Sequence, residues 1–562
     1  MFIRDKDFAH AQTNLHRQPW LGYHQALTKL VDVLVDVPPS RVHKHAHASV
    51  LIQARLFSRA VVSLAGYFRL TNDPKYAEKA WALIEDGLTW PQWYVTNPYS
   101  NGFNLATGEI AVSLALSLTF LNAWLSPQNR QMVVDAALER IVQPYLRLCC
   151  PEAPDVKPVG WYTRTNNWNA VCNGGMLVLA LTLADELEEA ARAVPIALEG
   201  LQYFLDTLHP DGSSKEGIGY WQYGIGYLTY ALLAYEAKTG QPHPAFDSPT
   251  LTSGLCFPFD FSPDGVGLSF GDGNRLTSNL GALLPLAQRT GQPQIIAEVN
   301  ERFFRSKEAK NPLPIHEHSR FTELLGVLYT APIEIDVKPK PAMQVFPDNG
   351  WLLFRRKDIT LSFRAGTTDV PHSHRDLNSI QVAKGGVRLV ENLENRPYPA
   401  GWFWTKEHHF EDQTGSKSGM MINGVGQLKR ASATWGYDAE KIWSDAASAY
   451  FDFATTVSRT VSTQPSSTHP NSIQLEDVFQ TDEAAWHEIR FISFGEFIQQ
   501  QAMHWIIRRN EIALHLVFDA NQPLHFVVCD AVPSIGVRPM AQMLRVIGKD
   551  ASLETNITTY LW

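Results

Sequence analysis

The spacing of apolar residues changes period partway along this 562-residue chain, and that change constrains the fold more than any other feature. Up to about residue 330, apolar side chains recur at steps of three and four, as in Leu27, Leu30, Val31 and Leu34, or Ile110, Leu114, Leu118, Leu121 and Leu125. Such a stripe belongs to helices that bury one face. After the Pro- and Lys-containing stretch IEIDVKPKPAM the period becomes two, as in Thr360-Leu361-Ser362-Phe363-Arg364, the signature of strands. A chain of this length exceeds a single core. An α+β multidomain protein is therefore expected, helical over residues 1–335 and antiparallel β over 345–562.

Local signals sharpen both halves. Thr71-Asn72-Asp73-Pro74 before KYAEKAWALIEDGL, and Ser126-Pro127 before QNRQMVVDAALERIV, pair a capping side chain with a proline in the first turn. Roughly ten helices in repeated hairpins suit an α/α toroid whose connecting loops form a long cleft. In the second half, hairpins are expected to turn at Gly385-Gly386, around Asn423-Gly424 and near Arg509-Asn510. At least about ten such runs without crossover helices suit an antiparallel β-sandwich.

Composition removes some functions. The net charge is −9 with no long Lys/Arg run, so the electrostatic footprint of a nucleic-acid binder is missing. The uncharged stretch from Ile110 to Leu125 is shorter than a spanning helix and carries Ser113, Ser117, Thr119 and Asn122. It reads as a buried core helix, with no membrane partner expected. Cys149, Cys150, Cys172, Cys256 and Cys529 are odd in number and scattered, and read as free thiols. The opening MFIRDKDFAHAQTNLHRQPW has no apolar leader, which predicts a cytoplasmic place for the chain as given, or a periplasmic or secreted one if a signal has been trimmed. Sixteen Trp and 18 Tyr suit the stacking of sugar rings as well as they suit a large core.

Three clusters carry candidate chemistry. The first runs Arg164-Thr165-Asn166-Asn167-Trp168-Asn169 to Gly175 at the start of the apolar helix MLVLALTLA. Its amides can hold a carboxylate beside a stacking Trp, or can simply cap the helix. The second, Asp211 to Gly224, sets Glu216 in a Gly-spaced loop ahead of Tyr220, Trp221 and Tyr223, with Tyr227 beyond; aromatics at helical spacing also serve as core. In the third, Pro371-His372-Ser373-His374-Arg375-Asp376, the two His share one face if the segment is extended. They would then be two metal ligands, or one ligand and one substrate contact, with Glu391 and His409 (or His408) completing a site unless Glu391 is merely ion-paired.

Taken together, NNWNAVCNGG, DGSSKEGIGYWQYG, HSHRDLNSI and MMINGVGQ stand in the order in which they occur in the heparinase II/III-like superfamily of polysaccharide lyases, which this chain resembles over most of its length. The resemblance implies a helical toroid followed by a sandwich, β-elimination on an anionic uronic-acid polysaccharide or oligosaccharide, and a structural divalent metal, zinc or manganese. It places Tyr223 as the catalytic tyrosine, Asn167 as the residue neutralising the uronate carboxylate and His372 as the sandwich histidine reaching substrate, so that the active site lies where Tyr223 of the first domain meets His372 of the second. It makes His374 the first metal ligand and Glu391 an oxygen ligand where the family usually has Asp. Two positions depart from the pattern: Trp168 stands where several members have a catalytic His, and Lys417 where many have the last metal His.

A C5 proton leaves a uronate only once the neighbouring carboxylate is neutralised, a task that falls to Asn167 and Asn169 with Arg164. Trp168, Glu216, Tyr220, Trp221, Tyr227 and Arg375 complete the expected substrate surface. For Tyr223 to act as base and acid, its pKa is expected to fall toward neutrality under Arg375 or His372. Glycosaminoglycan is the favoured substrate and alginate or its oligomers the alternative. A uronyl C5-epimerase and a non-catalytic sugar-binding protein are the competing classes.

Overall fold

The computed structural model describes residues 2–39, 50–96, 102–150, 158–273, 279–306, 320–333, 340–393, 409–463, 468–532 and 540–562. The helix-start signals cap helices as read. Asp73 accepts from Lys75 N at the head of Pro74–Leu88, and Ser126 from Asn129 N at the head of Pro127–Ala137, each with Pro in the first turn. The uncharged stretch belongs to the helix Leu105–Phe120, buried along almost its whole length. No helix among the described residues is long and apolar enough to cross a membrane.

That helix packs between Val50–Thr71 and Asn167–Leu183. A Cβ added to Gly175 would lie 2.3 Å from the carbonyl oxygen of Gly108, and one on Gly108 would lie 2.6 Å from that of Val171. The two backbones therefore touch where the helices cross, which only glycine permits. On the other side, Ser113 donates to Ser58 Oγ at 2.5 Å.

Compactness divides the chain into two units that interleave in sequence. The first holds Met1–Leu208, Tyr220–Leu255 and Thr277–Asp336; the second holds His209–Gly219, Cys256–Leu276 and Val337–Trp562. Most of the expected linker, residues 334–339, lies outside the described residues.

Among the described residues, every strand pair of the second unit is antiparallel. A five-stranded meander runs in chain order from Met343–Phe346 to Val387–Val390. An eight-stranded sheet is centred on Ile473–Ala485 and Ser552–Leu561, and a four-stranded sheet on His487–Ser493 and Ala541–Gly548. Leu361 and Phe363 from the first, Leu475 and Leu516 from the second, and Phe491 and Leu544 from the third share one apolar core. Phe257, Phe261 and Phe270, from the interleaved segment, pack on Phe346 and Trp351.

Two of the three expected hairpins form. Gly385 and Gly386 both take positive φ, +54° and +73°, the demand of a tight two-residue turn. Arg509 pairs with Ile512, so the second turn is Asn510-Glu511. Around Asn423-Gly424 the chain turns, but the return leg is a single bridge between Ile422 and Val425, and Met420–Ile422 pairs instead with His487–Ser493. The cause is Gln427, whose buried amide accepts from Leu377 N at 2.9 Å and donates to Leu377 O at 2.8 Å, drawing the chain away from a ladder.

Candidate active site

Tyr223 sits on the helix Ile218–Thr239, and its hydroxyl donates to Glu109 Oε1. Glu109 is fully buried within the otherwise uncharged helix Leu105–Phe120. The same oxygen accepts from Arg55 Nε and from an Arg320 terminal nitrogen, each at 3.0 Å. Both guanidiniums also lie over the Tyr223 ring, at 5.3 and 5.2 Å from its centre. Glu109 Oε2 is buried with no hydrogen-bond partner among the described residues. One phenol, one carboxylate and two guanidiniums thus form a polar cluster among apolar helices, with Glu109 and Arg320 buried and Tyr223 and Arg55 partly exposed.

The expectation for the Tyr223 pKa is corrected. Burial, then the Glu109 charge, push the phenol well above its ordinary range, and the opposing pull of Arg55 and Arg320 is the smaller effect. The cations acting on it are these two arginines, in place of the expected Arg375 and His372. Tyr223 rests as a neutral phenol whose proton already points at a carboxylate.

Asn167 begins the helix Asn167–Leu183, with Asn166 as its cap accepting from Trp168 N at 3.2 Å. A Cβ on Gly224, the neighbour of Tyr223, would stand 3.5 Å from Asn167 Cα, so the helix that carries Tyr223 runs beside the start of the Asn167 helix. Arg164 is exposed and lies 6.0 Å from the centre of the partly exposed Trp168 ring. Asn169 is corrected to a structural role. It is buried, and its amide donates to Tyr162 O at 2.6 Å and Gly200 O at 2.8 Å, holding the loop to the next helix. Trp221 and Tyr227 are buried too, Tyr227 packed edge-on against Tyr223, whereas Tyr220 keeps partial exposure.

In the second unit, His372 and His374 converge as expected, but their segment is a turn, with His372 itself at φ +59°, an uncommon conformation for a side-chain-bearing residue. Gly271 packs closely against this turn, since a Cβ there would stand 2.4 Å from the His372 carbonyl oxygen. Asp272 unites the pair, Oδ2 lying 3.0 Å from His372 Nδ1 and Oδ1 2.8 Å from His374 Nε2. Glu216 is buried and reaches to 3.7 Å from His372 Nε2. Burial pulls the His372 pKa down, but the Asp272 hydrogen bond and the two carboxylate charges outweigh it and leave it raised. The two imidazoles hold Asp272 well below the usual carboxylate range, against the upward push of burial. Arg375 donates to Gln427 O at 3.2 Å.

The expected metal set of His374, Glu391 and His409 is not assembled among the described residues. Glu391 is engaged by Arg509 at 2.6 Å and Arg388 at 3.5 Å, because these arginines flank it from its own hairpin and a neighbouring strand. The carboxylates gathered at His374 are Asp272 and Asp412 instead. His408 lies outside the described residues.

Sequence reasoning missed Arg55, Glu109, Arg320 and Asp272. A signal existed for two of them: Glu109 is a lone acid at the head of an uncharged helix, and Asp272 lies between glycines in Gly271-Asp272-Gly273.

No family profile matches the sequence, and no curated protein matches it. The fold is nevertheless that of solved heparinase III and heparan sulfate lyase structures. A crystal structure of heparinase III aligns over 98% of this chain and 86% of its own, at 12% identity and a TM-score of 0.64. A heparinase III gene product aligns over 96% and 84%, at 11% identity and a TM-score of 0.60. Heparan sulfate lyase HepC from Pedobacter heparinus aligns over 100% and 93%, at 13% identity and a TM-score of 0.51.

Proposed function

We propose that the protein is a carbon–oxygen lyase that cleaves a uronic-acid glycosaminoglycan, of the hyaluronan, chondroitin or heparan type, by β-elimination. The observation that carries this reading is the Tyr223 hydroxyl donating to Glu109 between two guanidiniums, and the fold shared with heparinase III supports it. The same reading makes the helical unit an α/α toroid and the sheet unit a β-sandwich.

Asn167 neutralises the uronate carboxylate, lowering the cost of charge at C5. A neutral phenol cannot take the C5 proton unless it surrenders its own, and Glu109 is the acceptor already bonded to it. The C5 proton passes to the phenolic oxygen while the phenolic proton passes to Glu109. The electron pair left at C5 forms the C4–C5 double bond as the C4–O4 bond breaks. Tyr223 then protonates O4 and recovers its proton from Glu109. His372, which the resemblance makes a substrate histidine, is held at Nδ1 by Asp272.

Incubation with hyaluronan, chondroitin, heparan and alginate, read by ultraviolet absorbance of the unsaturated uronate and by product size, tests the assignment. Chain shortening with rising absorbance on a glycosaminoglycan is expected. Solvent deuterium entering C5 without cleavage would make the protein an epimerase, and binding without product a sugar-binding protein. Tyr223→Phe should abolish product while leaving the fold intact; retained turnover removes Tyr223 from the mechanism.

A further inference from the structure

The resemblance implies a divalent metal at His374, and the residues there do not fit one. Lys417, 1% exposed, aims its amine at His374 Nδ1 from 2.8 Å. It also donates to the carbonyl oxygen of Leu393 at 2.6 Å and to that of Glu411. A lysine ammonium has only N–H donors and no acceptor. His374 Nδ1 must therefore carry the lone pair and Nε2 the proton. That proton points to Asp272 Oδ1 at 2.8 Å, so neither ring nitrogen is left to ligate a metal.

The geometry points to Lys417 as an internal substitute for the metal: a covalently tethered cation that fixes the tautomer of His374 and, through His374 and Asp272, the orientation of His372. In a metal site, a histidine's second nitrogen is held by a carboxylate or carbonyl and so sets the ring's direction. The order here is Lys417 Nζ, His374, Asp272, His372, with distances of 2.8, 2.8 and 3.0 Å along the chain. Asp272 accepts from both imidazoles, which commits His372 Nδ1 as its donor. A lysine performs this without metal supply and without sensitivity to chelators. Glu391 is ion-paired with Arg509 and Arg388. Lys417 is thus a positioning residue, and none of this depends on which reaction the protein catalyses.

Three measurements on the full chain test it. Elemental analysis after equilibration with zinc and with manganese, followed by desalting, should find substoichiometric metal, and the melting temperature should not move with EDTA. One metal per chain, or a chelator-dependent melting temperature, overturns the inference. Nitrogen-15 NMR of the histidine rings should show His374 protonated at Nε2 alone; the opposite tautomer would also overturn it. Finally, Lys417→His returns a nitrogen donor beside His374, Asp272 and Asp412, and this variant should take up one zinc and become chelator-sensitive. A folded Lys417→His chain that binds no zinc would break the equivalence between ammonium and metal. If that variant fails to fold, the elemental analysis and the tautomer of the native chain still decide the matter.

Discussion

Glu109 is the residue on which the proposed chemistry turns, because it both anchors two guanidiniums and receives the Tyr223 proton. Glu109→Gln should lower kcat by about 10²–10⁴-fold with a smaller change in KM, the range for loss of a proton acceptor. It should also cost about 3–5 kcal/mol of stability, since Arg55 and Arg320 would remain buried without a counter-charge. Tyr223→Phe separates the two effects: initial rates should collapse while the melting temperature stays near native. A second residue reports on pH. His487 is fully buried, stacked on Phe479 and bonded to Thr555 Oγ1 at 2.7 Å, and burial depresses its pKa to about 4 from 6.5. Between those values the unfolded chain binds the extra proton, so stability falls as pH drops from 6.5 toward 4. Melting curves across that window should show the decline in the native chain and a shallower one in His487→Asn; equal slopes would refute the assignment. Tyr223 and His372 could be picked out of the sequence because they sit in aromatic and histidine motifs. Their partners could not: Glu109 lies 114 residues from Tyr223, and Asp272 lies 100 from His372. Only the packing of distant segments brings such carboxylates into contact.

Among elements, the crossing of Leu105–Phe120 with Asn167–Leu183 is the least forgiving joint. It fixes Glu109 and Asn167 on adjacent helices. Gly175→Ala would drive a methyl into the Gly108 carbonyl, a backbone atom that cannot swing aside. The expected cost is about 3 kcal/mol, at the upper end for overpacking, seen as a melting temperature several degrees lower and as reduced turnover. Gly160→Ala, where a Cβ meets nothing within 4 Å, is the matched control. Element starts and tight turns were legible from sequence because their causes are local. Asp73 and Ser126 cap the helices that follow them, and Gly385-Gly386 supplies the positive φ of its own turn. The Asn423-Gly424 hairpin misled because a glutamine four residues on, Gln427, binds Leu377 across the fold. The His-Ser-His segment misled for a similar reason, since it is a turn packed against the distant Gly271 and Asp272 and not an extended strand.

For the whole molecule, the interleaving of the two units matters most. The change in hydrophobic period separates helices from strands correctly, yet the sheet unit also claims His209–Gly219 and Cys256–Leu276. These segments bring Glu216, Asp272 and three phenylalanines that cover Phe346 and Trp351. A fragment comprising residues 340–562 should therefore lack a cooperative melt or unfold well below the intact chain, as circular dichroism would show; a native-like transition would mean the phenylalanines are dispensable. Interleaving also has a consequence during synthesis. Ribosomes deliver chain at about 5–20 residues per second, so Cys256–Leu276 emerges on the order of tens of seconds before the last strand, Ser552–Leu561, exists to complete its unit. Until Phe346 and Trp351 have followed them out, Phe257, Phe261 and Phe270 lack the residues they pack on. They make the nascent chain a client for holding chaperones, and its yield in a cell should follow their supply.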